Sequence, residues 1–449
     1  MRFKPQGPNP IKTLLASVVG TALEFYGFML YAVFMEDIGK EFFPTHNEVQ
    51  AILFGSLGLL AAFIGRPFGA TLFGYIGDNY GRRIALILSI SLMGIPTLII
   101  GVLPSYASWG ITTSIILILC RVIQGLCTGG EYNGSAIFAL EHLGKHYPGM
   151  FGSLITAASV LGALLANTVG IYLKQPGMPT WGWRAAFAFG VVVSLAGLWV
   201  RLQTSESPEF EKLKKNKKVQ KSPLFDAIRN HWHSSLTTVI TGTLNGILAY
   251  TLYKFLGIYL VRWMNFDEST ILTLTNYGIA VYILSAPLMG YIMDKIGGET
   301  YMARACLVIS LCAIPVFYLF QSQDLILTYA AETLLALMVA SIAGPEHAFI
   351  QRLFPVKDRY SGVAFNYCVG MGIGGGALPW ILVYLVELTQ GVQCLDCSIS
   401  PEHMGLYLPS FTIIIVSLLS FWAIRHINKT YLAVQKEDET DLGTKKTTK

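Results

Sequence analysis

Twelve stretches of apolar residues, each about 20 residues long or longer, take up nearly all of this 449-residue chain. They run near 14–35, 50–76, 84–103, 111–141, 150–173, 184–202, 234–261, 271–293, 304–320, 325–348, 360–388 and 405–426. A helix needs about 20 apolar residues to cross the hydrocarbon core of a bilayer. Inside lipid the backbone must satisfy its own hydrogen bonds, which a helix does within one segment. The pattern therefore predicts an all-α integral membrane protein with twelve transmembrane helices. Charged residues make up only 13% of the chain, about half the roughly 25% of a soluble domain. That rules out a water-soluble enzyme, and a hydrophobic content of 53% rules out a disordered chain. Seven cysteines are too few for a disulfide scaffold. The first stretch is too long for a signal peptide and ends without a small-residue cleavage site.

The basic residues predict an orientation. With both termini placed in the cytoplasm, 25 Lys and Arg fall in cytoplasmic segments and four (Lys40, Lys174, Arg184, Arg262) in outward loops. Arg66, Arg121 and Lys254 lie within spans. Cytoplasmic loops of membrane proteins are the Lys/Arg-rich ones. The division expected is a first six-span half over 1–202, a basic linker over 203–233, a second half over 234–427 and a short tail over 428–449. Lys212, Lys214, Lys215, Lys217, Lys218 and Lys221 crowd the linker. Beside a bilayer, such a run reads as an anchor to anionic lipid and not as a nucleic-acid site.

One motif occurs twice. Gly74-Tyr75-Ile76-x-Asp78-x-x-Gly81 follows the second span, and Gly290-Tyr291-Ile292-x-Asp294-x-x-Gly297 follows the eighth, at a single offset of 216 residues. Two parallel halves explain this economically, and transporters use such repeats to rock around a central site. The glycines suit close helix packing. Asp78 and Asp294 are expected to meet helix N-termini, or Arg82 and Arg83, and so to hold one gate closed. Glu141, at the same end of the fourth span, is assigned to that gate.

At this point a family resemblance becomes visible. Gly74 to Arg83, read GYIGDNYGRR, resembles the loop 2–3 signature of the major facilitator superfamily. More narrowly, the chain resembles the metabolite:proton symporters. The resemblance rests on Gly20-Thr21-Ala22-Leu23-Glu24-Phe25-Tyr26, Arg66-Pro67-Phe68-Gly69, Arg121 to Gly125 and Gly129-Gly130-Glu131-Tyr132. It extends through Trp181-Gly182-Trp183-Arg184, Glu206 to Phe210, Leu353-Phe354-Pro355 and Arg359-Tyr360-Ser361-Gly362. It implies two pseudo-symmetric six-helix halves, a bacterial-type inner membrane, a monomeric carrier, and substrates such as proline, betaine, oxoglutarate, citrate or shikimate. It also implies that spans 1, 4, 7 and 10 line a central cavity. The chain departs from the pattern at Gly27, where the family usually has Asp.

Ionisable residues at mid-bilayer cost about 2.5–3.5 kcal/mol each, so each is a site hypothesis. Glu24 lies near the middle of span 1. Arg121, Gln124, Thr128 and Glu131 follow one helical stripe of span 4. Lys254 lies in span 7 on a stripe with Thr243, Gly246, Tyr250 and Gly257, and Glu332 lies in span 10. Bland readings stand beside these. Arg66 and Glu131 would form a structural ion pair, Arg121 would bond backbone carbonyls, Lys254 would snorkel outward, and Glu332 would face the outer water. The functional reading has Arg121 and Lys254 receiving carboxylate groups, with neutral hydrogen bonds from Tyr26, Tyr250, Gln124 and Asn245. Glu24, with Glu131 or Glu332, would carry the proton, since apolar surroundings favour a neutral carboxyl.

No GxxxxGK[ST] phosphate loop is present. Gly370, Gly372, Gly374, Gly375 and Gly376 sit inside span 11, where helix packing or a hinge is the expected role. No HExxH occurs, and no metal or cofactor is implied. Cys394 and Cys397 form a C-x-x-C in the loop before span 12. They are a disulfide candidate, with free thiols or a metal site as the other readings. The expectation is a proton-coupled importer of a small carboxylate or polycarboxylate, with protons and the bilayer as its partners. A proline- or betaine-type zwitterion, a carboxylate siderophore, export, or a transporter-like receptor are the alternatives.

Overall fold

A computed structural model describes residues 10–44, 48–143, 146–175, 177–219, 222–390 and 405–442. Twelve helices long and apolar enough to cross a membrane occur among them. In the first half these are α1 (Pro10–Val33), α2 (Glu48–Asn79), α3 (Arg82–Val102), α4 (Ile111–Leu143), α5 (Pro148–Leu173) and α6 (Gly182–Leu202). In the second half they are α7 (Trp232–Arg262), α8 (Glu268–Ile296), α9 (Gly298–Phe320), α10 (Leu325–Ile350), α11 (Arg359–Thr389) and α12 (Leu408–His426). A polar helix, α13 (Asn428–Asp441), follows. The connection between halves folds into two short helices, Pro208–Lys215 and Pro223–Asn230. Each has Pro in its first turn, where the missing N–H costs nothing.

Helix α2 shows how a nearly uniform apolar sequence acquires an inside and an outside. Leu53, Leu57, Leu60, Ile64, Phe68 and Leu72 recur every three or four residues and are exposed, as lipid-facing residues should be. The opposite face carries small residues. A Cβ on Gly65 or Gly69 would strike the α4 backbone at Val122 or Leu126, and one on Gly125 or Gly129 would strike α2 at Ala62 or Arg66. The two helices thus touch backbone to backbone, which membrane helices achieve with small residues because lipid supplies no hydrophobic drive for association.

The glycine run of α11 does the same against α7. Gly370 abuts the carbonyl of Val239, and Gly374 that of Thr243. Both helices widen into a π-type turn nearby, at Thr251–Phe255 in α7 and Gly372–Ala377 in α11. Such turns redirect side chains within a helix and are frequent at functional sites. Lys254 lies in the first of them. Cys394 and Cys397 lie outside the described residues.

Candidate functional site

Between the two halves lies a cavity of about 800 Å³, within the range of small-molecule sites. Its walls come from α1, α2, α4, α5, α7, α8 and α11. The cations on its walls are Arg66, Lys174 and Lys254, and no Asp or Glu lines it among the described residues. Arg66 has no ion-pair partner among the described residues. Its guanidinium lies over the rings of Phe63 at 4.5 Å and Phe28 at 4.8 Å, with Tyr250 beside it. Its Nε is buried and unbonded. Lys254 likewise has no ion-pair partner among the described residues, whereas Lys174 sits 3.7 Å from Asp37. Phe25, Tyr132, Tyr250, Tyr253, Tyr282 and Tyr367 add an aromatic surface, and Asn245 adds an amide.

Tyr250, Asn245 and Lys254 therefore reach the cavity, while three other expected substrate contacts do not. Arg121 is fully buried. Its Nε donates to the Gly58 carbonyl at 3.2 Å and its Nη1 to Gln124 Oε1 at 2.6 Å, and its plane rests 4.0 Å from the centre of the Tyr31 ring. Gln124 spends its amide on Thr97 Oγ1 at 3.0 Å. Tyr26 is buried edge-on against Phe189, with ring centres 6.0 Å apart. The polar stripe of α4 is real, but its Arg121 end turns toward α1, α2 and α3. Thr128 and Tyr132, further along, reach the cavity.

The buried acids fall into two kinds. Glu131 pairs with Arg201 and accepts from the Ser89 hydroxyl, so the expected Arg66–Glu131 pair is not formed. Arg201 is buried inside α6, and Gly20 of α1 makes room for its guanidinium. Glu24 lies beside this pair in electrostatic contact with Glu131, Arg201 and Arg66, but neither of its oxygens has a donor. Glu332 is fully buried against Gly278 of α8 and does not face outer water. Its two oxygens also lack donors.

The end of the bundle remote from Lys174 is sealed by contacts between the halves. Asp78 Oδ1 accepts from Tyr360 N at 3.1 Å and Oδ2 from Ser361 N at 2.8 Å. These are first-turn N–H groups of α11, which an anion satisfies. Asp294 treats the first turn of α5 alike, accepting from Gly149 N at 2.8 Å and Met150 N at 2.9 Å. Arg82 crosses to the Val356 carbonyl at 2.5 Å and lies 3.3 Å from Glu141. Glu141 in turn meets Arg359 at 3.2 Å. Arg359 also holds Glu209 at 2.6 Å and Asp438 of α13 at 3.1 Å. Arg83 departs from this pattern: its side chain caps the Leu202 carbonyl within the same half at 2.8 Å, and its backbone N–H donates to Glu206.

Outside the spans, burial pushes the Glu206 carboxyl above its ordinary value. Burial, reinforced by the neighbouring Asp78, pushes Asp358 well above its own.

A sealed end, a cavity between the halves and twelve apolar helices are the arrangement of a multi-pass membrane carrier built from two halves around a central site. The sequence model of the Major Facilitator Superfamily matches residues 17–389, and the chain belongs to that superfamily. The inner membrane metabolite transport protein YhjE of Escherichia coli K12 is 31% identical over 430 residues, covering 92% of this chain and 94% of that one. A proline/betaine transporter of Salmonella typhimurium LT2 is 28% identical, covering 85% and 79%. Among solved structures, the proton:xylose symporter XylE bound to 6-bromo-6-deoxy-D-glucose superposes with a TM-score of 0.69 over 94% of this chain and 95% of that one, at 17% identity.

Proposed function

We infer that this carrier imports a small organic anion, a carboxylate or polycarboxylate, with protons by alternating access. The observation that carries the reading is the lining of the cavity, which has three cations and no acid among the described residues. Arg66 is the planar fork that would take a carboxylate bidentately, and Lys254 is the point charge for a second one. The Nε of Arg66 is buried and unbonded, and a ligand carboxylate would give it an acceptor. Tyr250 and Asn245 would supply neutral hydrogen bonds. The domain division at 203–233 and cytoplasmic termini belong to this reading. They make the sealed end cytoplasmic and the cavity outward-open, ready to load from outside, with Asp78, Arg82, Glu141 and Asp294 as the inner gate. Glu24, beside the Glu131–Arg201 pair, is the proton site of the first half.

The energetics suffice. A proton moving down about 100 mV releases roughly 2.3 kcal/mol, and about 1.4 kcal/mol sustains a tenfold gradient. Each neutralised substrate could then be held at about 40-fold accumulation by voltage alone.

A second reading rests on the aromatic lining. Phe25, Phe63, Tyr132, Tyr250 and Tyr253 offer ring faces of the kind that hold quaternary ammonium groups. A betaine- or proline-type zwitterion would place its carboxylate on Arg66 and its cationic end among the rings. Replacing Arg66 and Lys254 separately by Gln tests both readings. A dianion loses affinity with either change, whereas a zwitterion loses it only with Arg66→Gln.

A further inference from the structure

Glu346 of α10 is a carboxyl that the spacing of charged residues does not bring forward, because it falls at the end of its span. It is 2% exposed. Asn245 Nδ2 donates to its Oε2 at 2.5 Å, and its Oε1 has no donor among the described residues. The titratable groups around it are Tyr132 of α4, Tyr282 of α8, Cys306 of α9 and Tyr367 of α11. None of these is a cation. The next residue, His347, turns its ring to Tyr132, 4.6 Å between centres. Glu346 thus differs from Glu131, which has Arg201 for a counter-ion.

It differs equally from Glu24 and Glu332, whose oxygens accept no hydrogen bond from a cavity wall. The amide of Asn245 lines the cavity and bridges Glu346 to the Tyr367 hydroxyl at 3.1 Å, and Tyr367 also lines the cavity.

We propose that Glu346 is the proton-carrying carboxyl of the second half, and that Asn245 links its protonation to occupancy of the cavity. An ionised carboxylate buried without a counter-ion costs several kcal/mol, so in the sealed state the proton stays on Glu346. A substrate that draws the Asn245 amide toward itself removes the donor that would stabilise the anion, and the proton is held more firmly while the cavity is full. When the sealed end opens and water reaches Oε1, the proton passes to that water. This proposal rests on the proton-coupled reading above and names where one proton travels.

The test uses the full-length protein, first in lipid nanodiscs and then in proteoliposomes. Infrared difference spectra over a pH titration should contain a protonated-carboxyl C=O band that is missing in Glu346→Gln. In Asn245→Leu the band should shift to higher frequency, as a C=O that has lost its donor does. In proteoliposomes with citrate as probe, Glu346→Gln should keep citrate counterflow but lose accumulation driven by an imposed proton gradient, the inside-to-outside ratio falling to parity. An unchanged carboxyl band in Glu346→Gln, or accumulation equal to wild type, overturns the proposal. Wild-type citrate accumulation that ignores the proton gradient overturns the coupling reading instead, and the infrared bands still decide the state of Glu346.

Discussion

Asp78 and Asp294 each lay both carboxylate oxygens on consecutive backbone N–H groups at the start of a helix in the opposite half, at N···O distances of 2.8–3.1 Å. The two contacts are copies of each other in sequence and in space. Each joins the end of the second helix of one half to the fifth helix of the other. A carboxylate on a helix N-terminus contributes up to about 2 kcal/mol in partly buried settings. Asparagine keeps one acceptor and loses the charge. Asp78→Asn or Asp294→Asn should therefore shift the sealed-end equilibrium by about 5- to 30-fold toward opening. Accessibility of a cysteine introduced beside the seal, read by a membrane-impermeant reagent, measures this. The double variant should open more than either single one.

The cavity and the α4 stripe should respond differently to the same chemistry. Removing the charge of Arg66 or Lys254 should raise KM by about 10- to 100-fold, corresponding to 1.5–3 kcal/mol for a charged hydrogen bond, with expression unchanged. Arg121→Gln should instead lower thermal stability and yield, because Arg121 serves Gly58, Gln124 and Tyr31 and no cavity wall. Parallel transport kinetics and melting curves separate the two outcomes.

Breaking the Glu131–Arg201 pair should be severe. Both side chains are almost wholly buried, and removing one partner of a buried pair typically costs about 3–5 kcal/mol. Glu131→Gln or Arg201→Gln should lower Tm strongly, and the double change to neutral residues should recover part of the loss. A double-mutant cycle on melting in detergent measures the coupling.

The repeated contact of Asp78 and Asp294 with helix N-termini was legible in the sequence because two matching motifs at one offset carry their own control. Tyr250 and Lys254 were legible as cavity residues because they share one polar stripe of α7, and Asn245 reaches the cavity from beside that stripe. Arg121 was misread for a physical reason. Periodicity says which residues share a helix face, but not which neighbour that face meets, and α4 meets α1, α2 and α3 before it meets the cavity. Arg66 was missed as a cavity cation because Glu131 offered a closer partner on paper. Arg201, at the end of the sixth span, turns back into the bundle and takes that partner. The length of an arginine stem hides such pairings from sequence spacing.

Helix α13 ties the tail to the sealed end. Asp438 accepts from Val356 N at 2.8 Å and from Arg359 at 3.1 Å, while Lys357 meets Glu437 and Asp441. Burial raises the Asp438 carboxyl from 3.8 to about 6, outweighing Arg359, and Glu209 and Glu141 nearby push the same way. The docked tail thus binds a proton more tightly than a free one. The contribution to docking is fully present below the ordinary value and is lost as pH rises through about 6. Protease accessibility of the tail should increase as pH rises across that window. Asp438→Asn should flatten the dependence.

Uptake into proteoliposomes under an imposed inward proton gradient tests the central claim most directly. The panel is citrate, oxoglutarate, a carboxylate siderophore, proline and betaine, each with and without protonophore. The account predicts protonophore-sensitive accumulation of a carboxylic acid, with KM raised about 10- to 100-fold by Arg66→Gln and by Lys254→Gln. Accumulation of betaine or proline alone, untouched by Lys254→Gln, would contradict the anion assignment. Accumulation of any of them that ignores the protonophore would contradict proton coupling itself.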